Sequence, residues 1–332
     1  MKPHEAAGPL AAATPPLLSQ RSDDWVAAAL RGQGLCIDIG GATVRLRSPI
    51  RQLAGQLRSV YRHFGAEAGG GWADIHADIT LPRGLRRWLR PQALLVADGQ
   101  APFEPFPASH ALPLAEWGVN WLIGQRLHRF LLLHAGVVER DGQALVLPAT
   151  PGAGKSTLTV ALALRGWRLL SDEFGALGLE DGLLHPMLKP PALKNESIEV
   201  LRRFEPGVEL GQSFPGTRKG VVAHLAPPAA AVAARHVAAQ PAIVVLPHWQ
   251  PTGRAVLEPV SARLVCSALA FNAFNYAVAG AEGFRAVTTM ANRCQAWQLN
   301  YSQLDDAIDC LGRLWATRAR SGAAAPLSEE AA

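Results

Sequence analysis

The sequence predicts an α/β protein: an α/β domain preceded by a small strand-rich domain. Two patterns carry this expectation. From residue 130 onward, apolar strands alternate with helix-compatible runs, whereas between Gly34 and about Pro107 short β-like segments recur, punctuated by Gly and Pro. With 332 residues, 49% of them hydrophobic, the chain can fill the cores of about two domains. The expected divisions are a flexible Ala/Pro leader over 1–22, a strand-rich domain over 23–111, a bridging helix over 112–129, the α/β domain over 130–318 and a frayed tail over 319–332.

In the first domain LCIDI, TVRLRS, ADIHADITL and ALLVAD read as strands and 52–64 as a helix. The stretch 112–129 places Leu114, Trp117, Trp121 and Leu122 on one helical face. Next come the strand LLLHAGVVE, a turn at Asp141-Gly142, the strand ALVLPAT, a glycine loop, a helix to Arg165 and the strand WRLLS. A hairpin at Asp181-Gly182, a helix over 194–203, strands over 220–225 and 242–247, and an Ala-rich helical region over 261–293 follow. A strand AWQLNY and a helix LDDAIDCLGRLW close the domain.

Composition excludes several functions. The net charge of +5 comes from scattered arginines, with no run of like charge and no basic stretch interleaved with aromatics, so nucleic acid is not an expected partner. Cys36, Cys266, Cys294 and Cys310 form no CxxC pair, which argues against a zinc site and for a reducing compartment. No apolar run approaches the roughly 20 residues of a membrane helix, and the N-terminus lacks the pattern of a signal peptide. A cytoplasmic protein is expected, and a homo-oligomer is compatible with it.

The chemistry is concentrated in one segment. Ala149-Thr150-Pro151-Gly152-Ala153-Gly154-Lys155-Ser156-Thr157 matches the Walker A pattern GxxxxGK[ST], with alanine in place of the first glycine. Such a loop needs glycines because backbone N–H groups turn inward around phosphates without a Cβ in the way. Residues Thr150 to Thr157 are thus the expected ATP-binding loop: Lys155 supplies a point charge to the β/γ-phosphates and Ser156 a hydroxyl to Mg²⁺. Ala149 is tolerable if its φ is negative.

Two further groups converge on this loop. A helix from Lys155 to Arg165 rises about 16 Å and an extended Trp167–Ser171 returns about as far, bringing Asp172 back to phosphate level as a metal ligand or general base. Glu173 adds a second carboxylate for the metal; the alternative for such acids is a cap or a solvated turn. If Asp141-Gly142 forms a type I′ turn, His134 stands opposite Ala149 at the mouth of the loop, within reach of a phosphate or of a carboxylate such as Asp172. A hydrogen-bonded core histidine is the plain alternative.

The segment LLLHAGVVERDGQALVLPATPGAGKSTLTVALALRGWRLLSDEFGAL resembles the catalytic core of HPr kinase/phosphorylase, with its histidine strand, hairpin, Walker A loop and acidic pair after the next strand. It is similar more closely to the HPr-related kinase A proteins, which also carry an EWxxN-like stretch (Glu116, Trp117 and Asn120) and an LKN segment (Leu193-Lys194-Asn195). The resemblance implies a P-loop kinase domain of the HPr kinase and phosphoenolpyruvate carboxykinase-like type, using ATP and Mg²⁺ to phosphorylate a hydroxyl. By position it implies that Lys155 and Ser156 hold nucleotide and metal, that His134 and Asp172 assist transfer, and that Glu173 takes the second acidic place. Proteins of this type tend to be encoded near a small PqqD-like peptide-binding chaperone, so the implied acceptor is a serine of a small protein or peptide. The glycine-rich LExRGLGI signature of HPr kinases has no counterpart here.

Rival readings exist. Ile37-Asp38-Ile39-Gly40-Gly41-Ala42-Thr43 resembles the phosphate loop of ROK-type sugar kinases, but it also reads as an ordinary hairpin. A non-catalytic ATP sensor or scaffold and a small-molecule kinase are the alternatives to a protein kinase, while no LSGGQ-like or NKxD segment supports an ABC-type ATPase or a GTPase. Of the lysines Lys189, Lys194 and Lys219, each a candidate for meeting phosphate or acceptor, Lys194 is the preferred one.

Overall fold

The structure is a computed structural model that describes residues 15–69, 71–82, 91–150 and 152–322, the side chains of 319–322 apart. Most of the expected leader, the end of the tail and Pro151 lie outside the described residues.

The N-terminal half is built on a six-stranded sheet of β1 (Leu35–Asp38), β2 (Thr43–Arg47), β3 (Ala66–Ala68), β4 (Ile75–Thr80), β5 (Gln92–Val96) and β6 (Phe106–Pro107), ordered β3-β1-β2-β4-β5-β6. Two helices not fully foreseen support it. Ser22 caps α1 (Asp23–Arg31) by accepting from the Trp25 N–H at 3.1 Å, and two acids in the first turn with Arg31 in the last suit the helix dipole. Helix α2 (Gln52–Val60) is the shorter form of the expected 52–64. The leader ends earlier than expected, because Leu18 is fully buried and its N–H donates to the Phe64 carbonyl at 2.8 Å.

Helix α3 (Ala111–Arg126) lies in the N-terminal half and also meets the second half, where Lys189 pairs with its Glu116. It packs on β4 and β5 and buries most of its circumference, including Leu114 and Leu122, while Trp117 is half-buried and Trp121 exposed. A helix apolar nearly all round is what an interior position requires.

The second half centres on an eight-stranded mixed sheet. It comprises β7 (Phe130–Arg140), β8 (Gln143–Pro148), β9 (Arg168–Ser171), β10 (Phe174–Gly178), β11 (Leu184–His185), and, further along the chain, β15 to β17. Between them a three-stranded sheet is made by β12 (Ala192–Lys194), β13 (Phe214–Thr217) and β14 (Gly220–His224). The strands β15 (Gln240–Trp249), β16 (Val256–Pro259) and β17 (Gln295–Tyr301) complete the large sheet, ordered β11-β10-β7-β8-β15-β17-β16 with β9 also pairing β7. Strands β8, β15 and β17 run parallel, so their C-terminal ends, Pro148, Trp249 and Tyr301, emerge together.

The β7–β8 hairpin has the expected register. Asp141 and Gly142 both adopt positive φ, 55° and 76°, as a type I′ turn requires, and Arg140 pairs with Gln143 and Ala135 with Pro148. Strands β9 and β10 follow one another along β7, with Ser171 opposite Val137 and Phe174 opposite His134.

Helices cover both faces. On β7, Leu131, Leu133, Ala135 and Val137 face one apolar cluster with α7 (Ala262–Phe271) and α8 (Tyr276–Arg293), and Leu132 and Val138 face the other. The second cluster contains α4 (Lys155–Leu164), α5 (Glu196–Phe204), a short α6 (Ala229–Ala233) and α9 (Leu304–Gly322), and it continues without a break into the N-terminal sheet. Each buried Leu or Val adds about 1.5–3 kcal/mol over exposure. Gly136 lets α4 settle on β7, since a Cβ there would stand 1.9 Å from the Thr159 hydroxyl. The expected helical region 261–293 is broken twice: at Asn275, which docks on β7 by accepting from Leu132 N–H at 2.9 Å and donating to the Phe130 carbonyl at 2.8 Å, and at Gly280, whose φ of 53° interrupts α8. Helix α9 extends past the expected boundary at 318.

The Gly40-Gly41 loop joins the two halves. Gly41 N–H donates to the Pro186 carbonyl at 2.7 Å, Arg235 binds Asp38 at 3.0 Å, and a Cβ on Gly40 would meet the Arg235 carbonyl at 2.4 Å. That is the hairpin reading of the segment, used as a docking surface. All four cysteines are free, and among the described residues no helix is long and apolar enough to cross a membrane.

Candidate active site

The glycine loop leaves β8 and enters α4 beside the C-terminal ends of the parallel strands, where α/β sheets open a crevice. Gly152 and Gly154 adopt φ of 93° and 84°, the left-handed conformation that favours glycine, whereas Ala149 does not have positive φ and is buried. Alanine therefore costs the loop nothing in backbone strain. Trp249 and Tyr301 brace the loop from the neighbouring strand ends. The Trp249 N–H donates to the Ala153 carbonyl at 3.3 Å and the Tyr301 hydroxyl to the Gly154 carbonyl at 3.2 Å.

A cleft of about 1160 Å³ opens over the loop. Thr150, Gly152, Gly154, Lys155, Ser156 and Thr157 line it, and across from them stand His134, Glu173, Lys194 and Lys219. Ala153 instead turns its carbonyl to Trp249.

Asp172 returns to the start of α4 as the helix–strand arithmetic expects. The Lys155 ammonium donates to the Asp172 carbonyl at 2.5 Å and lies 4.0 Å from Oδ1 of its carboxylate. Ser171 shapes this bend, its hydroxyl accepting from the N–H groups of Glu173 at 3.3 Å and Phe174 at 2.9 Å. The two acids sit in the bend between β9 and β10. Asp172 is buried and lines a cavity of about 30 Å³, whereas Glu173 lines that cavity and also reaches the cleft. Burial raises the Asp172 carboxyl, against the pull of Lys155 and of a hydrogen bond from Ser156. Its Oδ1 is buried with no hydrogen-bond partner.

His134 is placed one residue beyond the last pair of the hairpin, facing the cleft. Its nearest carboxylate is Glu173, Nε2 to Oε1 3.8 Å, rather than Asp172. Its ring stacks at a tilt on Phe274, centroids 5.3 Å apart, and burial with the nearby Lys155 lowers its pKa to about 4. Burial works against the Glu173 carboxylate, yet Lys155, His134, Lys194 and Lys219 together hold its pKa below the usual range.

The lysines divide. Lys194 and Lys219 share the cleft wall because Asn195, at φ 51°, joins the end of β12 to the β13–β14 turn, accepting from Val221 N–H at 3.0 Å and donating to the Lys219 carbonyl at 3.2 Å. Burial and Lys194 lower the Lys219 pKa. Lys189 is drawn elsewhere: it pairs with Glu116 Oε2 at 2.9 Å and donates to Asn120 Oδ1 at 2.5 Å, both from the EWxxN-like stretch. That lysine is structural. Trp249 and Tyr301 were not anticipated as site residues, although their places at the ends of two strands are the signal that an α/β crevice offers.

No protein-family model matches the chain, and no curated protein matches it. The functional reading therefore rests on the residues themselves.

Among the described residues no group of three or more His, Cys, Asp or Glu side chains could hold a metal ion. The orphaned Asp172 Oδ1 beside Ser156 nevertheless fits Mg²⁺, which takes one or two protein oxygens and completes its shell with water and phosphate.

Proposed function

We propose that the chain is an ATP- and Mg²⁺-dependent P-loop phosphotransferase of the HPr-kinase-related type, which passes the γ-phosphoryl group to a serine hydroxyl of a small protein or peptide. The observation that carries this reading is the meeting of Lys155, Ser156 and the orphaned Asp172 carboxylate at the start of α4, beneath a glycine loop with two left-handed glycines. Gly152 and Gly154 give the loop the left-handed turns of a phosphate cradle, with the Ala153 N–H donating to the Thr150 carbonyl at 3.3 Å, and Lys155 neutralises the β/γ-oxygens. Ser156 and Asp172 would hold Mg²⁺, which supplies charge neutralisation across those same oxygens.

Glu173 and His134 stand on the acceptor side, where Lys194 and Lys219 offset the charge of the transferring group. The acceptor oxygen bonds to the γ-phosphorus as the bond from that phosphorus to the β,γ-bridging oxygen breaks. The electron pair leaves with ADP and the hydroxyl proton passes to the Glu173 carboxylate.

Calorimetric titration of the full chain with ATP and Mg²⁺ tests the reading. The wild type binds and Lys155→Ala weakens binding at least about tenfold, or about 1.4 kcal/mol. Equal affinity in both, or no binding by the folded wild type, would remove the nucleotide assignment.

A further inference from the structure

Beside the nucleotide cleft lies a second, narrow slot of about 60 Å³ between the two halves of the molecule. Phe106, Pro113 and Trp117 of the N-terminal half and Val222 of β14 give it apolar walls. Four of its lining residues, Glu173, Ala192, Lys194 and Lys219, also line the cleft, so the slot meets the cleft where the phosphoryl group would be transferred. At that threshold the Lys219 ammonium rests over the Trp117 ring, 4.9 Å from its centroid. His224 also lines the slot. It is 2% exposed and its Nδ1 is buried with no hydrogen-bond partner, a group left for something the chain does not itself provide.

We infer that this slot is the acceptor site, and that it takes a short hydroxyl-bearing side chain of a peptide segment, with an adjoining small apolar residue against Trp117 and a backbone amide hydrogen-bonded to His224. The inference rests on the kinase reading and deepens it. The slot is too narrow for a nucleobase with its ribose, while the cleft is ample for both. Phe106, Pro113, Trp117 and Val222 offer contacts to a small apolar side chain, while Asn120, Thr217 and His224, which also line the slot, offer polar atoms to a peptide amide and a hydroxyl. The N-terminal half then supplies acceptor specificity, through Trp117, to a reaction carried by residues of the other half.

The test uses a pool of decapeptides with a central serine and randomised flanks, incubated with γ-labelled ATP and the full-length chain, beside a pool of free serine and small hydroxy acids. The expected result is labelling of peptides with a small apolar residue next to the serine. His224→Leu and Trp117→Ala then each lower peptide kcat/KM at least tenfold, with the ATP Kd measured separately and within twofold of the wild type. Thermal melts identify any variant that fails to fold, and the other variant then decides. Labelling confined to the free hydroxy acids, unlabelled peptides despite ATP binding, or unchanged peptide kcat/KM in both folded variants would each overturn the proposal. Absence of ATP binding by the wild type is seen before any acceptor is added and would overturn the kinase reading along with it.

Discussion

Replacing Lys189 by methionine separates a structural lysine from a chemical one. Its ammonium is 9% exposed, lies 2.9 Å from a Glu116 carboxylate that is itself 7% exposed, and donates as well to the Glu116 carbonyl at 3.0 Å. Methionine fills the same space but leaves that carboxylate buried with a single donor, the Tyr61 hydroxyl at 2.7 Å. Breaking one side of such a buried pair costs about 3–5 kcal/mol. For a folded unit of this size, with an unfolding entropy of about 2.1 cal/mol/K per residue, that is a fall in Tm of about 5–8 °C. Glu116→Gln should cost less, about 1–3 kcal/mol, because Lys189 keeps two oxygen acceptors. The double variant should cost at least about 1 kcal/mol less than the two single changes together. Differential scanning fluorimetry and urea titration measure all three, and ATP titration of Lys189→Met should match the wild type. A Lys189→Met protein that melts as the wild type does, yet no longer binds ATP, would refute the reasoning and return this lysine to the phosphate site.

Two further outcomes follow from the same geometry. Gly154→Ala places a Cβ 2.2 Å from the Tyr301 hydroxyl at a φ of +84°, so it should lose about 1–2 kcal/mol from backbone conformation alone and more from the clash, with Tyr301→Phe restoring part of the second share; an unchanged Tm in the single variant would contradict it. Burial lowers the His224 pKa from 6.5 to about 4, with Glu116, Lys189 and Lys194 the charged groups around it. The unfolded chain therefore binds the extra proton first, and stability should fall by about 3 kcal/mol as pH drops from 6.5 to 4. His224→Leu should show a correspondingly shallower loss, and identical pH profiles would exclude the assignment.

What the sequence disclosed was mostly local. The Asp141-Gly142 turn fixed the register of β7 and β8, and hence the position of His134, because a two-residue turn leaves no freedom in pairing. Asp172 was located by rise per residue alone. Non-local partners were hidden: Glu116 and Lys189 are 73 positions apart, and nothing in either segment indicates that their charges cancel inside the molecule. Leu18 was masked by Ala/Pro surroundings that look unstructured until Phe64 supplies a partner. The break in 261–293 at Asn275 was equally obscure, since that residue's partners are the carbonyl and amide of another strand.

The bend between β9 and β10 that carries Asp172 and Glu173 is a partition seen from two sides. Asp172 lines only the small buried cavity, whereas Glu173 lines that cavity, the cleft and the slot alike. The Ser171 hydroxyl and the Ala135 N–H, which donates to the Glu173 carbonyl at 3.3 Å, clamp that partition. A displacement of that partition would shift the walls of all three openings at once, as a shared wall serves adjoining rooms.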